Sequence, residues 1–464
     1  MASIERVDKS IPAIRASADG KTFVWYGDCC SGIPGGSNEA NFAAVNTVFQ
    51  RLEAMPDVAF FVGDNIMGYL ETAEQVREQW RYWFGHEMAW FHPLGVSMYH
   101  ITSNHNTSDE LAETVFREIH ADIPQNGPDD QKGLSYWVRD GEFLYVFVNT
   151  NFSGRNGFGH VEHEWLDGVL TDQADARFKL VIGHHPIHAV NGYQLYPTWR
   201  VAPEDGQPFW DTLVQHGVLA YICSHILLFD VQVHRGVLQI ATGGAGTYGM
   251  PVVGLMPDAY EYLHLVQAAI DETGVRYQVL DTDGVAREWL QWPEPALESP
   301  DFAMLEPTSA PQKPATGCWI AHFSISGYAS LSEIDQTILT GSQTWEGPEA
   351  IWVGMFEGSN RLTVQLVPEP GQGAQRWDGP RLAGPFDLEI AIHSGMGPGG
   401  VLWRETGGVW SSLWSSTARG ASQLAWPEAW NVGHGPSGNG DRPFVGSELN
   451  VNVATSGIES PRTK

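Results

Sequence analysis

Five short apolar runs, each followed closely by a residue that metal ions favour, constrain the fold of this chain more than any other feature. The runs cover residues 23–26, 58–62, 95–101, 178–182 and 218–222. Each run has the length of a buried strand. The residues that follow them are Asp28, Asp64, Asn104, His184 and His225. Because loops at strand ends are where layered α/β folds collect their chemistry, this order predicts one metal site assembled from five loops.

The candidate ligands offer two kinds of donor atom. Hard divalent cations take oxygen atoms from Asp and Asn, and borderline cations add imidazole nitrogen. The segments that carry them read Gly27-Asp28, Gly63-Asp64-Asn65, Ser103-Asn104-His105, Gly183-His184-His185 and Ser224-His225. In this order they resemble the calcineurin-like metallophosphoesterases. The Gly-Asp-x-Cys opening and the Gly-His-His-Pro segment are most similar to the purple acid phosphatase branch.

The resemblance covers about residues 20–290 and implies a four-layer α/β/β/α sandwich with two neighbouring metal positions. The second position would be held by Asp64 as a bridge, together with Asn104, His184 and His225. All four residues are present. The first position would use Asp28, the shared Asp64, and further His or Tyr ligands.

Three residues stand where relatives carry ligands of the first position. Leu227 replaces a histidine, Met67 replaces a tyrosine, and Cys30 occupies the place of another histidine. Leucine cannot bind a metal ion, and a thioether is a poor ligand for a hard cation. We therefore expect about one tightly bound divalent ion per chain, which would be Zn, Mn or Fe. The first position would be weak, empty or occupied by an unusual metal, with Cys30 as a thiolate ligand.

Further histidines lie beside these ligands. The resemblance implies that His105 donates a proton to the leaving group. His185 and His188 flank His184 and are candidates for substrate contacts or for support of the ligands. Cys30, His185 and His188 are thus possible additional metal or pocket residues.

Composition limits the partners of the chain. A length of 464 residues favours two domains, and a formal net charge of -29 argues against nucleic acid or an anionic membrane as a partner. The first twenty residues contain no apolar signal-peptide core, although a secreted or periplasmic origin stays open. Four cysteines occur, and their spacing implies no disulfide framework. The sequence says nothing of the oligomeric state.

The pattern changes after the five motifs. We predict a metallophosphoesterase-like domain over residues 1–292, and a linker rich in Pro, Glu and Ser over 293–314. Residues 315–464 show short alternating segments with turns about every ten residues, which predicts an all-β jelly-roll sandwich. Its closing stretch resembles a laminin-G or concanavalin A-like domain. Its tryptophans would stack on sugars or fill the core, and the core role is favoured.

Three functions follow, with a small molecule or a glycan as substrate. The first is metal-dependent hydrolysis of a phosphate ester, which the resemblance implies. The second is a polysaccharide lyase, in which one ion neutralises a uronate carboxylate during β-elimination. The third is a glycan-binding protein without catalysis, which the presence of four ligands and His105 disfavours.

Overall fold

The structure of the chain is a computed structural model. It describes residues 8–155, 157–192, 200–247, 262–298, 300–305, 318–341, 351–367, 374–395, 397–398, 400–416, 418, 424, 427, 430–435 and 442–458.

Strands and helices alternate through the first part of the chain. Its strands are β1 (Lys21–Tyr26), β2 (Val58–Phe61), β3 (Ser97–His100), β4 (Tyr136–Asp140), β5 (Phe143–Phe147), β6 (Asn151–Phe152), β7 (Gly157–Phe158), β8 (Phe178–Ile182), β9 (Ala220–Cys223), β10 (Phe229–His234), β11 (Val237–Thr242), β12 (His264–Asp271), β13 (Gly274–Asp281) and β14 (Ala286–Trp292). Its helices are α1 (Ser37–Gln50), α2 (Ala73–Tyr82), α3 (Glu110–Ile119), α4 (His163–Asp172) and α5 (Pro203–Gln215).

Two mixed sheets of six strands each form the centre of this part in the described residues. The first has the order β14-β13-β12-β1-β2-β3, and the second has the order β10-β11-β9-β8-β5-β4. Their facing sides meet in an aromatic core, where the Phe23 ring lies 6.0 Å from Tyr145 and the Phe60 ring 5.6 Å from Phe147. Helix α1 covers the outer side of the first sheet, because Phe42 and Phe49 pack on Tyr26.

Helices α4 and α5 cover the second sheet. Leu166 of α4 and Phe209 of α5 join Leu144 and Val146 of β5 in a separate buried cluster. The layers therefore run helix, sheet, sheet, helix, as the sequence predicts. This is a mixed α/β architecture with two central sheets.

Antiparallel strands make up the second part. They are β15 (Ala303–Met304), β16 (Cys318–Ala329), β17 (Gln336–Thr340), β18 (Ile351–Phe356), β19 (Arg361–Leu366), β20 (Gln375–Arg381), β21 (Gly384–Ser394), β22 (Val401–Glu405), β23 (Ser411–Ser412), β24 (Asn431–Val432) and β25 (Gly446–Ile458). Within the described residues they form a sheet of order β15-β25-β16-β21-β22-β23 and a sheet of order β20-β19-β18-β17-β24. The predicted all-β character of this part is confirmed, whereas its jelly-roll and laminin-G assignments stay predictions.

The central strand β16 of the six-stranded sheet is buried on both faces over residues 319–323. On β16, Trp319, Ala321 and Phe323 point into the core shared with the five-stranded sheet. Ile320 of the same strand belongs instead to the core of the first part, as does Trp410. Backbone contacts cross the same junction, because Gly236 N–H donates to the Trp410 carbonyl at 3.0 Å.

Part of the predicted linker is also built into the structure. Leu297 is buried in the core of the first part, and β15 pairs with β25. Residues 306–314 lie outside the described part of the chain, and the domain limits remain a prediction. Among the described residues, none of the helices combines the length and the apolar character needed to cross a membrane.

Candidate metal centre

The five loops expected to carry ligands meet at one end of the two sheets. The candidate residues follow the carboxyl ends of β1, β2, β3, β8 and β9, which run parallel to their neighbours. Because the two sheets face each other, distant side chains become neighbours. The backbone N–H of His225, for example, donates to Asp28 Oδ2 at 3.2 Å across 197 positions of sequence.

Five residues of this region have left-handed backbone conformations. The φ angles are 64° at Asp28, 39° at Cys30, 51° at Asp64, 53° at Tyr69 and 66° at His225. A non-glycine residue in this region costs about 1–3 kcal/mol and persists only where its surroundings fix it. Here the Cys30 N–H donates to the Asp64 carbonyl at 2.7 Å, and the Asp28 N–H donates to the Gly63 carbonyl at 3.1 Å. Strain of this kind clusters at functional sites.

The structure brings together the four residues that the resemblance implies for the second metal position. Nε2 of His184 lies 3.0 Å from Asn104 Oδ1 and 3.3 Å from Asp64 Oδ1. Nδ1 of His225 lies 3.0 Å from the same Asn104 oxygen. The amide of Asn104 is held in this orientation because its Nδ2 donates to the Tyr69 hydroxyl at 3.0 Å.

The atoms that converge here are electron-pair donors. Nδ1–H of His184 donates to the Val62 carbonyl at 2.9 Å, so Nε2 is left to face Asp64 and Asn104. Lone pairs on an imidazole nitrogen, an amide oxygen and a carboxylate oxygen repel one another unless a proton or a cation lies among them. Burial lowers the pKa of His184, but the charge and hydrogen bond of Asp64 outweigh it and raise the pKa to about 9. A divalent ion would satisfy the same three atoms.

Asp28 adds a second carboxylate beside Asp64. Its Oδ2 accepts hydrogen bonds from the Ser224 hydroxyl and the His225 backbone. Its Oδ1 is buried and accepts no hydrogen bond within the described residues. Burial raises the pKa of Asp28, and the charge of Asp64 raises it further. A buried carboxylate oxygen without a donor is an atom that a cation stabilises, so Asp28 also fits a divalent metal ion.

Three groups of side chains in the described residues could each hold one ion, with all ligand atoms of a group within 4.8 Å of one another. The groups are Asp28 with Asp64 and His184, Cys30 with Asp64 and His105, and His184 with His185 and His225.

The three residues that stand in place of ligands of the first position all line the cavity of the site, as the resemblance implies. Met67 and Leu227 both line the cavity of the site and offer it a thioether and an alkyl group. Cys30 is buried, and its Sγ lies 3.8 Å from Asp64 Oδ2. Burial raises the pKa of the Cys30 thiol, as do the charges of Asp64 and Asp28.

His105, which the resemblance makes a proton donor, also lines the cavity. Its Nδ1–H donates to the Met67 carbonyl at 2.6 Å, so Nε2 faces Asp64, with 3.9 Å to Oδ2.

The two other candidate histidines have different positions. His185 is buried beside the ligands, where its Nδ1 pairs with the Thr150 hydroxyl at 2.8 Å and its ring lies 4.2 Å from that of His225. His188 belongs to none of the three groups of possible metal ligands, and it does not line the cavity. Its ring stacks on His234 at 3.6 Å and packs against Trp210 at 4.4 Å, because the chain turns under α5 after His185.

A cavity of about 590 Å³ opens over the site. Six of its lining residues are not among the candidate site residues of the sequence: Asn38, Tyr69, Ser108, Asn151, Gly157 and Thr247. Tyr69 lies in the same loop as Asp64, and Thr247 ends the glycine-rich loop after β11, so closeness to a motif was the available signal for these two. Asn38 and Asn151 reach the site only through the fold.

Comparisons with known proteins find similarity in structure alone. A scan against known protein families finds no match, and neither does a search of curated proteins. Among solved structures, the chain is similar to a purple acid phosphatase from yellow lupin seeds at 14% identity and a TM-score of 0.43, over 60% of this chain and 54% of that one.

Two further structures are similar over most of their own length. GAP50, the anchor in the inner membrane complex of Plasmodium, matches at 13% identity and a TM-score of 0.41, over 59% of this chain and 88% of that one. The phosphopantetheinyl hydrolase of Mycobacterium tuberculosis matches at 9% identity and a TM-score of 0.30, over 51% of this chain and 90% of that one. At these values the likeness is distant, and the geometry of the site has to support the function by itself.

Proposed function

We propose that this chain is a metal-dependent hydrolase of phosphate esters. The observation that carries the proposal is that His184 Nε2 lies 3.0 Å from Asn104 Oδ1 and 3.3 Å from Asp64 Oδ1, while His225 Nδ1 lies 3.0 Å from the same Asn104 oxygen. These four residues would hold a divalent ion, with Asp28 at its side. When bound, such an ion supplies positive charge to phosphate oxygens and acidifies a neighbouring water.

The protein groups around the ion divide the remaining tasks. Tyr69 orients the Asn104 amide, and the Val62 carbonyl fixes the tautomer of His184. His105 presents Nε2 to the cavity and would give a proton to the leaving oxygen. A general acid of this kind matters most for esters whose alcohol leaves poorly.

The charge of the cavity favours a substrate with few negative charges. Its described lining contains Asp28 and Asp64 but neither lysine nor arginine. A phosphomonoester dianion would meet these carboxylates with only the metal ion to offset them, whereas a phosphodiester carries a single charge. We therefore propose that the site prefers diesters to monoesters.

The other assignments belong to the same proposal. They are the purple acid phosphatase-like branch, the domain limits of 1–292 and 315–464, and a laminin-G or concanavalin A-like second domain. Nucleic acid and membranes are not proposed as partners, because the net charge of -29 opposes both.

No specific observation favours the lyase alternative. In the sequence it was favoured by the missing ligands of the first position and by the second domain, where Trp352, Trp377 and Trp430 are buried and Trp403 and Trp414 are half-buried. A buried ring cannot stack on a sugar.

The test uses chelator-stripped protein reloaded with Mn²⁺. We expect hydrolysis of bis(p-nitrophenyl) phosphate, slower hydrolysis of p-nitrophenyl phosphate, and no unsaturated product from an acidic polysaccharide. His225→Ala should reduce both hydrolyses to the level of the metal-free protein. Inertness toward both esters at full metal occupancy would defeat the proposal, and an unsaturated polysaccharide product would replace it with the lyase.

A further inference from the structure

The two oxygen atoms of Asp64 face different sets of side chains. Oδ1 lies 3.3 Å from His184 Nε2 and accepts from the His105 backbone N–H at 3.2 Å. Oδ2 lies 3.8 Å from Cys30 Sγ and 3.9 Å from His105 Nε2. Asp64 is therefore shared between the proposed ion position and a second group, formed by Cys30, Asp64 and His105.

The second group has the form of a metal site of its own. Its sulfur, oxygen and nitrogen atoms lie within 4.8 Å of one another. His105 Nδ1 is engaged with the Met67 carbonyl, which leaves Nε2 as the atom directed at Asp64. Cys30 is held in a left-handed conformation with φ 39° by a backbone hydrogen bond to Asp64. Both side chains line the cavity, as does Asp28, whose Oδ1 is buried without a hydrogen-bond donor among the described residues.

We infer that Cys30, Asp64 and His105 form a further metal position, called here the thiolate position, that selects a thiophilic ion such as Zn²⁺. The inference rests on the proposed function, because Asp64 is shared with the ion of that site. Thiolate ligands favour zinc over harder ions such as Mn²⁺, whereas Asp64, Asn104 and two imidazoles suit several divalent metals. The two positions therefore differ in the ion that they accept.

Binding of an ion at the thiolate position would prevent His105 from acting as a proton donor. The same Nε2 atom cannot bind an ion and also carry a proton to a leaving group. Zinc at this position would thus slow the cleavage of esters with poor leaving groups, while the ion of the proposed function stays bound at Asn104, His184 and His225.

Cobalt provides the spectroscopic probe. A thiolate bound to Co²⁺ gives a charge-transfer absorption in the near ultraviolet, which carboxylate and imidazole ligands do not give. Chelator-stripped protein would be titrated with Co²⁺ and, separately, with Zn²⁺, and bound metal would be counted by mass spectrometry. Cys30→Ser is the test variant. Cys318→Ser is the matched control, because Cys318 Sγ contacts the Gly395 carbonyl in the second part of the chain.

We expect the absorption in the parent and in Cys318→Ser, and its loss in Cys30→Ser together with about one ion per chain. X-ray absorption of the zinc-loaded parent should show a sulfur ligand at about 2.3 Å. This second measurement needs no variant to fold. Absence of a sulfur ligand in the parent, or an unchanged absorption in Cys30→Ser, would overturn the inference. Either result leaves Mn²⁺-dependent hydrolysis intact, whereas loss of that hydrolysis would defeat the proposed function instead.

Discussion

Single residues around the ligands determine how the site is arranged. Asn104 is the clearest case, since its Oδ1 lies 3.0 Å from a nitrogen of both His184 and His225. An amide can rotate and exchange its oxygen for its nitrogen, which would place a donor at the metal. The Tyr69 hydroxyl accepts from Nδ2 of the amide and so restrains its rotation. A residue that is not itself a ligand thus stabilises the ligand orientation.

Replacing Tyr69 by phenylalanine should therefore weaken metal binding without abolishing it. We expect Tyr69→Phe to lower the affinity for Mn²⁺ by about tenfold, as is usual for the loss of a supporting hydrogen bond. Competition with a chelating dye would measure the affinity. Tyr328→Phe, at an exposed position of the second part, is the control and should bind as the parent does. Equal affinities for all three proteins would show that Tyr69 does not hold the amide.

His105→Ala tests the proton donor in protein loaded with Mn²⁺ alone. The variant should keep its metal and lose about a hundredfold in kcat on an ester with an alkyl leaving group. On p-nitrophenyl esters the loss should be much smaller, because that leaving group needs no proton. An equal loss on both classes of substrate would remove proton donation from the role of His105.

At the scale of elements, the turns that follow the strands place the ligands. Gly63 follows β2 with a φ angle of 90°, and a Cβ atom there would lie 2.5 Å from His184 Nδ1. Any side chain at this position would push His184 away from the Val62 carbonyl. The absence of a side chain at residue 63 therefore allows the imidazole to reach its ligand position.

Gly63→Ala should consequently reduce metal binding although no ligand is changed. Gly141→Ala is a matched control, because Gly141 also has a positive φ, of 60°, but has nothing within 4 Å of the added Cβ. Both variants bear the cost of alanine in a left-handed turn, of about 1 kcal/mol. Only Gly63→Ala should lose bound Mn²⁺ when metal is counted after gel filtration. Equal metal contents in the two variants would contradict the account.

The elements near the motifs could be predicted from the sequence, and others could not. The run at residues 178–182 became β8, and the Asp140-Gly141 turn, a hairpin signal in the sequence, joins β4 and β5. Helix α3 was missed although its signal was present, since Asp109 caps it by accepting from Ala112 N–H. Residues 319–323 of β16 are buried on both faces, so Trp319, Ile320 and Ala321 follow one another without the alternation that marks a half-buried strand.

The site could be predicted only in part for a similar reason. Motif order predicted the four proposed ligands of one ion, and the weakness of the other position expected from Met67 and Leu227 stays a prediction. That Asp64 turns one oxygen to His184 and the other to Cys30 depends on side-chain directions, which the sequence does not encode locally. The position of His188 under α5 depended on the path of the chain after β8.

For the whole molecule, buried neutral histidines set the response to acid. Burial lowers the pKa of His100, His234 and His393 to about 3. Below the unfolded pKa of about 6.5, the unfolded chain binds protons that the folded chain does not. The free energy of unfolding therefore falls as pH drops from about 6.5 toward 3, by up to about 1.4 kcal/mol per pH unit for each residue.

His393→Leu isolates one of these contributions, because both ring nitrogens of His393 lack a hydrogen-bond partner among the described residues. Urea unfolding in the presence of chelator, at pH 6.5 and pH 5, would give the free energies. The parent should lose about 2 kcal/mol more than the variant between these pH values. Parallel losses in the two proteins would mean that His393 is protonated in the folded state.

The central claim is that one ion, held by Asp64, Asn104, His184 and His225, makes this chain a phosphoesterase. The most direct measurement follows bis(p-nitrophenyl) phosphate hydrolysis while metal-free protein is titrated with Mn²⁺ and bound metal is counted in the same samples. The account predicts that activity rises in step with occupancy and levels off at about one ion per chain. Activity that is independent of bound metal, or no activity at full occupancy, would contradict it.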